Sequence, residues 1–179
     1  GTLSRYESGD REPDSDAVAI LAEALGLTTD ALAVGSAVTA PLAVDAHMRR
    51  RVTTKVSDWR RSEAQLNMFR FQADRLFSTI EMTPELIVPA TDPDQVEPAD
   101  AARLVRQQWR MPIGPVKDLT RWVDAAGVVV VLRQLATPRI DGLSQWVGTV
   151  PVVLLNSAAP MDRRRLTLAH ELGHLVMHA

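Results

Sequence analysis

Residues 164–178 read RRLTLAHELGHLVMH, and this stretch carries the strongest structural signal in the sequence. Apolar residues recur in it at the three- and four-residue spacing of an α-helix, and no proline interrupts the pattern. The same stretch contains the motif HELGH at residues 170–174. The pattern predicts a buried final helix over residues 163–178 that carries two histidines and a glutamate.

The two histidines of this motif suit a zinc ion. At positions i and i+4 of a helix, His170 and His174 lie about 40° apart around the axis and about 6 Å apart along it, so both imidazoles can reach one ion. Glu171 can take a proton from water at the ion, whose pKa zinc lowers toward about 7. The motif therefore predicts a Zn²⁺ cofactor and the catalytic base of a zinc-dependent peptidase. The alternative is a core helix whose histidines only form hydrogen bonds, and it leaves three buried ionisable groups without a metal.

A catalytic zinc site needs a third protein ligand. His178 continues the histidine stripe, but it lies about 12 Å along the axis from His170, which is too far for one ion. His47 is remote in the sequence. Asp141 precedes Gly142, and the preference of Asp-Gly for turns accounts for this residue without a metal. We take the chain to be a fragment cut at both ends, and we expect the third ligand beyond Ala179.

The composition is typical of a globular protein. The chain has 179 residues, of which 46% are hydrophobic, and this is enough for a core. The sequence contains no cysteine, which excludes disulfides, thiolate metal sites and a cysteine nucleophile. The net charge of -2 neither favours nor excludes a polyanionic partner. No apolar run reaches the roughly 18 residues of a membrane helix, and no signal pattern opens the chain, so we expect a cytoplasmic protein without a membrane partner.

The second half of the chain predicts an α+β domain at residues 99–179, incomplete at its C-terminus. Helical spacing and β-branched runs alternate there, and the expected elements are helices before Pro112 and before Gly127, strands at 127–132 and 150–155, a third strand at 143–147, and the final helix. Because the strand at 150–156 precedes the motif helix, we expect its backbone to pair with an extended substrate segment.

The first 35 residues predict a compact all-α unit of three short helices. Gly9 and Gly26 are expected to end the first two helices, and Pro13 is expected in the first turn of the second. Residues 36–98 are predicted to form a helical connector and an acidic linker, with a solvated boundary at 84–98. An apolar stripe on the connector predicts an interdomain seam or a homodimer seam, through Val56, Trp59, Leu66, Phe69 and Leu76.

Residues 99–179 resemble the ImmA/IrrE family of metallo-endopeptidases. The stretch 164–178 carries most of the resemblance, and Gly114-Pro115, the segment 141–144 and the strand before the motif helix add to it. The resemblance implies a zincin-like domain. It also implies that the third zinc ligand is a glutamate on a helix downstream of the second histidine.

Residues 1–34 resemble the latter half of an XRE-type (Cro/repressor-like) helix-turn-helix domain. The resemblance rests on LSRYESGDREP at residues 3–13, on Leu21-Ala22 and on LGL at 25–27. It implies that residues 1–8 are the end of the recognition helix. The side chains expected to reach phosphates or a groove edge of operator DNA are Thr2, Ser4 and Arg5 of this helix and Arg11 after it. Each of these side chains could equally be a solvated polar residue.

Together the two resemblances imply a DNA-binding regulatory zinc metallo-endopeptidase that cleaves a partner repressor of the XRE type. The alternative is an XRE-family transcription regulator whose peptidase-like domain is a non-catalytic sensor or dimerisation module. A purely DNA-binding repressor with an inert second unit explains least, because it gives no reason for Glu171 in an apolar helix.

Overall fold

The computed structural model describes residues 1–33, 56–80, 83–135 and 137–178. The chain divides into two compact units, Gly1–Leu42 and Ala43–Ala179. The predicted linker at 36–44 and His47 lie outside the described residues. None of the helices in the described ranges is long and apolar enough to cross a membrane.

The first unit contains three short helices, as predicted: α1 (Thr2–Glu7), α2 (Ser15–Leu25) and α3 (Thr29–Ala33). Gly9 and Gly26 follow α1 and α2 with φ angles of 76° and 67°, which glycine adopts without strain. The start of α2 differs from the prediction, because the Asp14 carboxylate caps the helix by accepting a hydrogen bond from the Ala17 N–H at 2.8 Å. Pro13 therefore precedes the cap instead of lying in the first turn.

The second unit contains both helices and strands, which confirms the predicted α+β class. Its elements follow the sequence prediction closely and are α4 (Val56–Phe77), α5 (Pro98–Gln108), α6 (Leu119–Ala125), β1 (Val129–Arg133), β2 (Gly142–Val147), β3 (Val150–Asn156) and α7 (Met161–Met177). The third strand, predicted at 143–147, is β2.

The three strands form one mixed sheet in the order β1-β3-β2. β1 runs parallel to β3, and β2 runs antiparallel to it across a tight hairpin in which Gly148 has a φ of 58°. β3 is therefore the central strand, with backbone partners on both sides. The prediction that the strand at 150–156 pairs with a substrate segment is wrong, because its hydrogen-bonding groups are already used within the sheet.

The two faces of the sheet are covered by different elements. Helices α5, α6 and α7 pack on one face around buried residues such as Val123, Val153 and Leu175. On the other face a smaller cluster contains Leu143 and Leu154, and Phe69 of α4 packs against it. At Phe69, the apolar stripe predicted as a seam between units or copies therefore serves the core of its own unit.

Residues 84–98 lie within the second unit and do not separate two units, although most of their side chains are exposed, as their composition predicts. The Leu86 N–H donates to the Ala125 carbonyl at 2.9 Å, and the Thr91 N–H donates to the Val176 carbonyl at 2.7 Å. Val88 is buried in the main core. Leu86 and Val96 also pack against this core, whereas Ile87 is 69% exposed.

Asn156, the last residue of β3, ties the loop before β2 to the end of the central strand. Its buried amide nitrogen donates to the carbonyls of Thr137 and Ile140 at 3.1 and 2.8 Å. Its side-chain oxygen accepts from the N–H groups of Ala158 and Leu135 at 3.1 and 3.5 Å. One amide thus satisfies four backbone groups that the fold takes away from water.

We expect Asn156→Ala to lower the free energy of unfolding by about 2–4 kcal/mol, because buried backbone groups lose their partners. Urea unfolding monitored by circular dichroism measures this change. Ser157→Ala is the matched control, since Ser157 is the next residue and is exposed, and it should change stability by less than about 0.5 kcal/mol. Equal stability of the two variants would contradict the assigned role of Asn156.

Candidate metal centre

Helix α7 presents one face to the core and another to solvent. Leu168, Leu172 and Leu175 are buried against the sheet and the neighbouring helices. Leu166 is 71% exposed, and His170 on the same outward side is also exposed. The prediction of a buried final helix is therefore correct for one face only, and the histidine face remains accessible.

His170 and His174 converge, as the motif predicts. Their Nε2 atoms lie 3.1 Å apart, and the two rings meet edge to face with centroids 4.6 Å apart. Two nitrogen ligands at 2.0–2.1 Å from a tetrahedral zinc ion lie about 3.3 Å from each other. The pair therefore fits two adjacent positions of such an ion.

The other candidate ligands do not join this pair. His178 stacks on His174 with ring centroids 5.5 Å apart. The Asp141 carboxylate accepts a hydrogen bond from the Arg163 guanidinium at 2.7 Å, so it has a different partner. Within the described parts of the chain, no group of three or more His, Cys, Asp or Glu residues could hold a metal ion.

Glu171 lies in a different environment from the histidines. It is 6% exposed, and its Oε2 accepts a hydrogen bond from the Ser144 hydroxyl of β2 at 2.7 Å. Burial raises the pKa of Glu171 to about 7, and the Ser144 hydrogen bond opposes this shift. A carboxyl group with such a pKa can exchange protons at neutral pH.

An apolar cavity of about 530 Å³ adjoins the two histidines. It lies between α5 and α7, and its walls include Val105, Trp109, Met111, Val116, Leu119, His170 and His174. The loop that carries Met111 and Val116 is held in place by the Arg106 guanidinium, which donates to the carbonyls of Pro112 and Gly114 at 2.7 Å. Arg165 of α7 donates to the carbonyls of Val116 and Lys117 in the same loop.

Ser144 is the site residue that sequence reasoning left without a role. It lies 27 positions before Glu171, and nothing in the local pattern links the two residues. The available signal is the alternation in β2, where the positions facing α7 carry Gly142, Ser144 and Trp146 instead of aliphatic residues.

Three of the four residues predicted to contact DNA lie on α1. Thr2, Ser4 and Arg5 are all exposed on this helix. Arg11, the fourth candidate, places its guanidinium 5.8 Å from the centre of the Tyr6 ring. The first unit therefore leaves three polar side chains of one short helix accessible to a partner.

The raised pKa of Glu171 predicts a pH-dependent stability of the metal-free protein. The folded state binds this proton more tightly than the unfolded chain, because the pKa rises from 4.5 to about 7. The resulting stabilisation is complete below about pH 4.5 and is lost as the pH rises to about 7. Relative to Glu171→Gln, which does not titrate, the unmodified protein should lose about 2–3 kcal/mol over this range.

Urea unfolding of both proteins between pH 4.5 and 8 measures this difference. Glu85→Gln is the control, because Glu85 is exposed, and its curve should follow that of the unmodified protein. Parallel curves for the unmodified protein and Glu171→Gln would contradict the effect.

Both the N-terminal and the C-terminal part of the chain match known protein families. Residues 123–179 match the peptidase M78 family, described as the IrrE N-terminal-like domain, and residues 1–32 match a helix-turn-helix family. The first match begins within α6, so residues 99–122 of the segment that resembles the ImmA/IrrE family lie outside it. No significant match to the chain was found among curated proteins or solved structures. The chain thus combines a helix-turn-helix segment with an IrrE-like peptidase segment, the arrangement of an XRE-type regulator with an ImmA/IrrE-type peptidase domain.

Proposed function

We propose that this protein is a DNA-binding regulator and a zinc metallo-endopeptidase that cleaves a partner repressor of the XRE type. The observation that carries the peptidase part is the convergence of the His170 and His174 Nε2 atoms, 3.1 Å apart on α7. The two family matches support a DNA-binding regulator with a peptidase-like domain.

His170 and His174 would hold the zinc ion through Nε2. A bound zinc ion would lower the pKa of water at the site and polarise the carbonyl of the bond to be cleaved. A third protein ligand would come from outside the described residues, which supply only this pair. The distance between the two nitrogens suits adjacent ligands of a tetrahedral ion, so the residues present fit the metal.

Glu171 would act as the general base and then as the general acid. It follows His170 directly in the chain, and burial raises its pKa to about 7. A carboxyl group with a pKa near the working pH can accept the proton of the attacking water and later donate it to the leaving amine. A cation beside the carboxylate would lower its pKa and keep it ready to accept the proton.

The cavity between α5 and α7 would receive an apolar side chain of the substrate. Both histidine rings form part of its wall, and its lining contains no carboxylate. The substrate backbone cannot pair with β3, whose two edges are occupied by β1 and β2. The outer edge of β2, the strand that carries Ser144, would be the place where an extended peptide adds to the sheet.

The decisive experiment measures zinc content and repressor cleavage in the full-length protein. Each variant is incubated with the XRE-type repressor encoded nearest to the gene. We expect zinc and cleavage in the unmodified protein, and zinc with cleavage slowed about 10²- to 10⁴-fold in Glu171→Gln, because only the proton-transfer group is removed.

His174→Ala should lose zinc, while His178→Ala is the matched control and should retain it, since only the former removes one of the two converging nitrogens. Zinc in the unmodified protein with no cleavage would favour the alternative, a regulator with a non-catalytic sensor or dimerisation module. Absence of zinc would overturn the peptidase proposal.

For the DNA-binding part, we propose that Thr2, Ser4 and Arg5 of α1 contact operator DNA. Arg5→Ala should weaken binding at every salt concentration and reduce the slope of log affinity against log salt by about 1, as expected for one lost phosphate contact. Fluorescence anisotropy with labelled operator DNA measures both quantities. Arg121→Ala, an exposed arginine of α6, is the control, and an Arg5→Ala curve identical to it would exclude the contact.

A further inference from the structure

A buried hydrogen bond joins the sheet to the candidate catalytic base. The Ser144 Oγ donates to Glu171 Oε2 at 2.7 Å and lies 3.4 Å from the backbone carbonyl oxygen of Glu171. Both residues are buried, with exposed fractions of 7% and 6%. The distance is typical of a hydroxyl donor and also falls within the range for a hydroxyl bound to a carboxylate.

This bond is one of three contacts at regular intervals between β2 and α7. The contacts pair strand residues two apart with helix residues four apart: Gly142 with Thr167, Ser144 with Glu171, and Trp146 with Leu175. Two strand residues advance about 6.6 Å and four helix residues advance 6.0 Å, so the two elements stay in step over this length. The position of Ser144 opposite Glu171 is therefore fixed by the packing of the whole strand.

Gly142 allows this close approach. A Cβ atom at this position would lie 2.6 Å from the Thr167 Cγ2 and 3.1 Å from the Leu154 carbonyl oxygen. A larger residue at this position would force the Thr167 side chain or α7 itself to shift. Gly142 thus allows β2 to lie close to α7, and Ser144 places its hydroxyl within hydrogen-bonding distance of Glu171.

We propose that Ser144 is a positioning residue for Glu171: its hydroxyl fixes one carboxylate oxygen so that the other meets the reacting water in one orientation. The proposal rests on the proposed function, in which Glu171 is the base. The last torsion of a glutamate side chain has broad minima, so a carboxylate without this bond would sample several orientations. Proton transfer would then be slower, because the productive geometry would be populated less often.

The test compares Ser144→Ala, Ser144→Thr and Ser157→Ala in the zinc-loaded full-length protein, with the XRE-type repressor as substrate. We expect Ser144→Ala to lower kcat by about 10- to 100-fold, the range for groups that orient a reacting residue or ligand, with KM and zinc content unchanged. Ser144→Thr keeps the hydroxyl and should restore most of kcat. Ser157→Ala, at an exposed position, should have no effect. If the threonine variant does not fold, Ser144→Cys replaces it, and its weaker donor should give an intermediate kcat.

A second measurement is independent of activity. Urea unfolding of the metal-free protein is compared for the unmodified chain, Ser144→Ala, Glu171→Leu and the double variant at pH 8. Leucine cannot accept the Ser144 hydrogen bond, so Ser144→Ala should increase the unfolding equilibrium constant roughly five- to tenfold more in the presence of Glu171 than in the leucine background. An additive cycle would overturn the assigned contact.

The outcomes separate this proposal from the proposed function. An active unmodified protein with an unchanged kcat in Ser144→Ala would overturn the positioning role alone. Loss of zinc in Ser144→Ala, or failure of both Ser144→Thr and Ser144→Cys to restore activity in a folded protein, would also overturn it. An unmodified protein that binds zinc but does not cleave would overturn the proposed function, and with it the catalytic meaning of the contact.

Discussion

The packing of α7 on the sheet is the constraint on which the second unit depends. This helix supplies the buried face that completes the main core, and the same turns carry the histidine pair and Glu171. A side chain at Gly142 would meet Thr167 of α7 at 2.6 Å, so the distance between strand and helix has almost no tolerance. Because successive helix residues are 100° apart, holding one face of α7 on the sheet decides which residues of the motif are buried and which meet solvent. The contact between α7 and the sheet therefore determines both the packing of the core and the orientation of the candidate site residues.

Much of this arrangement could be predicted from the sequence, because it depends on local periodicity. The helical spacing around His170 and His174 predicted two convergent imidazoles, and the structure brings them together. The β-branched runs predicted the strands, including β2. The order of the strands could not be predicted in this way, since pairing is not recorded in the residues of one strand. The continuous apolar run of β3 is typical of a central strand, and the expectation that it would bind substrate overlooked this.

Other parts could not be predicted because apolar content and burial are different quantities. Leu166 lies in an apolar run yet is mostly exposed, whereas Val88 lies in an acidic, proline-rich segment yet is buried. Whether such a residue is covered depends on which segments fold back on it, and those segments are distant in the sequence. The hydrogen bond from Ser144 to Glu171 could not be predicted for the same reason, because the two residues are 27 positions apart and the local pattern of β2 does not show which helix residue faces Ser144.

The contrast between His170, which is exposed, and Glu171, which is buried, has a consequence for how the protein would acquire its metal under the proposed function. An ion could reach the exposed His170 ring from solvent while the core around Glu171 stays closed. Metal occupancy would then follow the supply of free zinc in the surroundings and would not require the protein to unfold. A regulator built in this way could lose and regain its peptidase activity during the lifetime of one folded molecule.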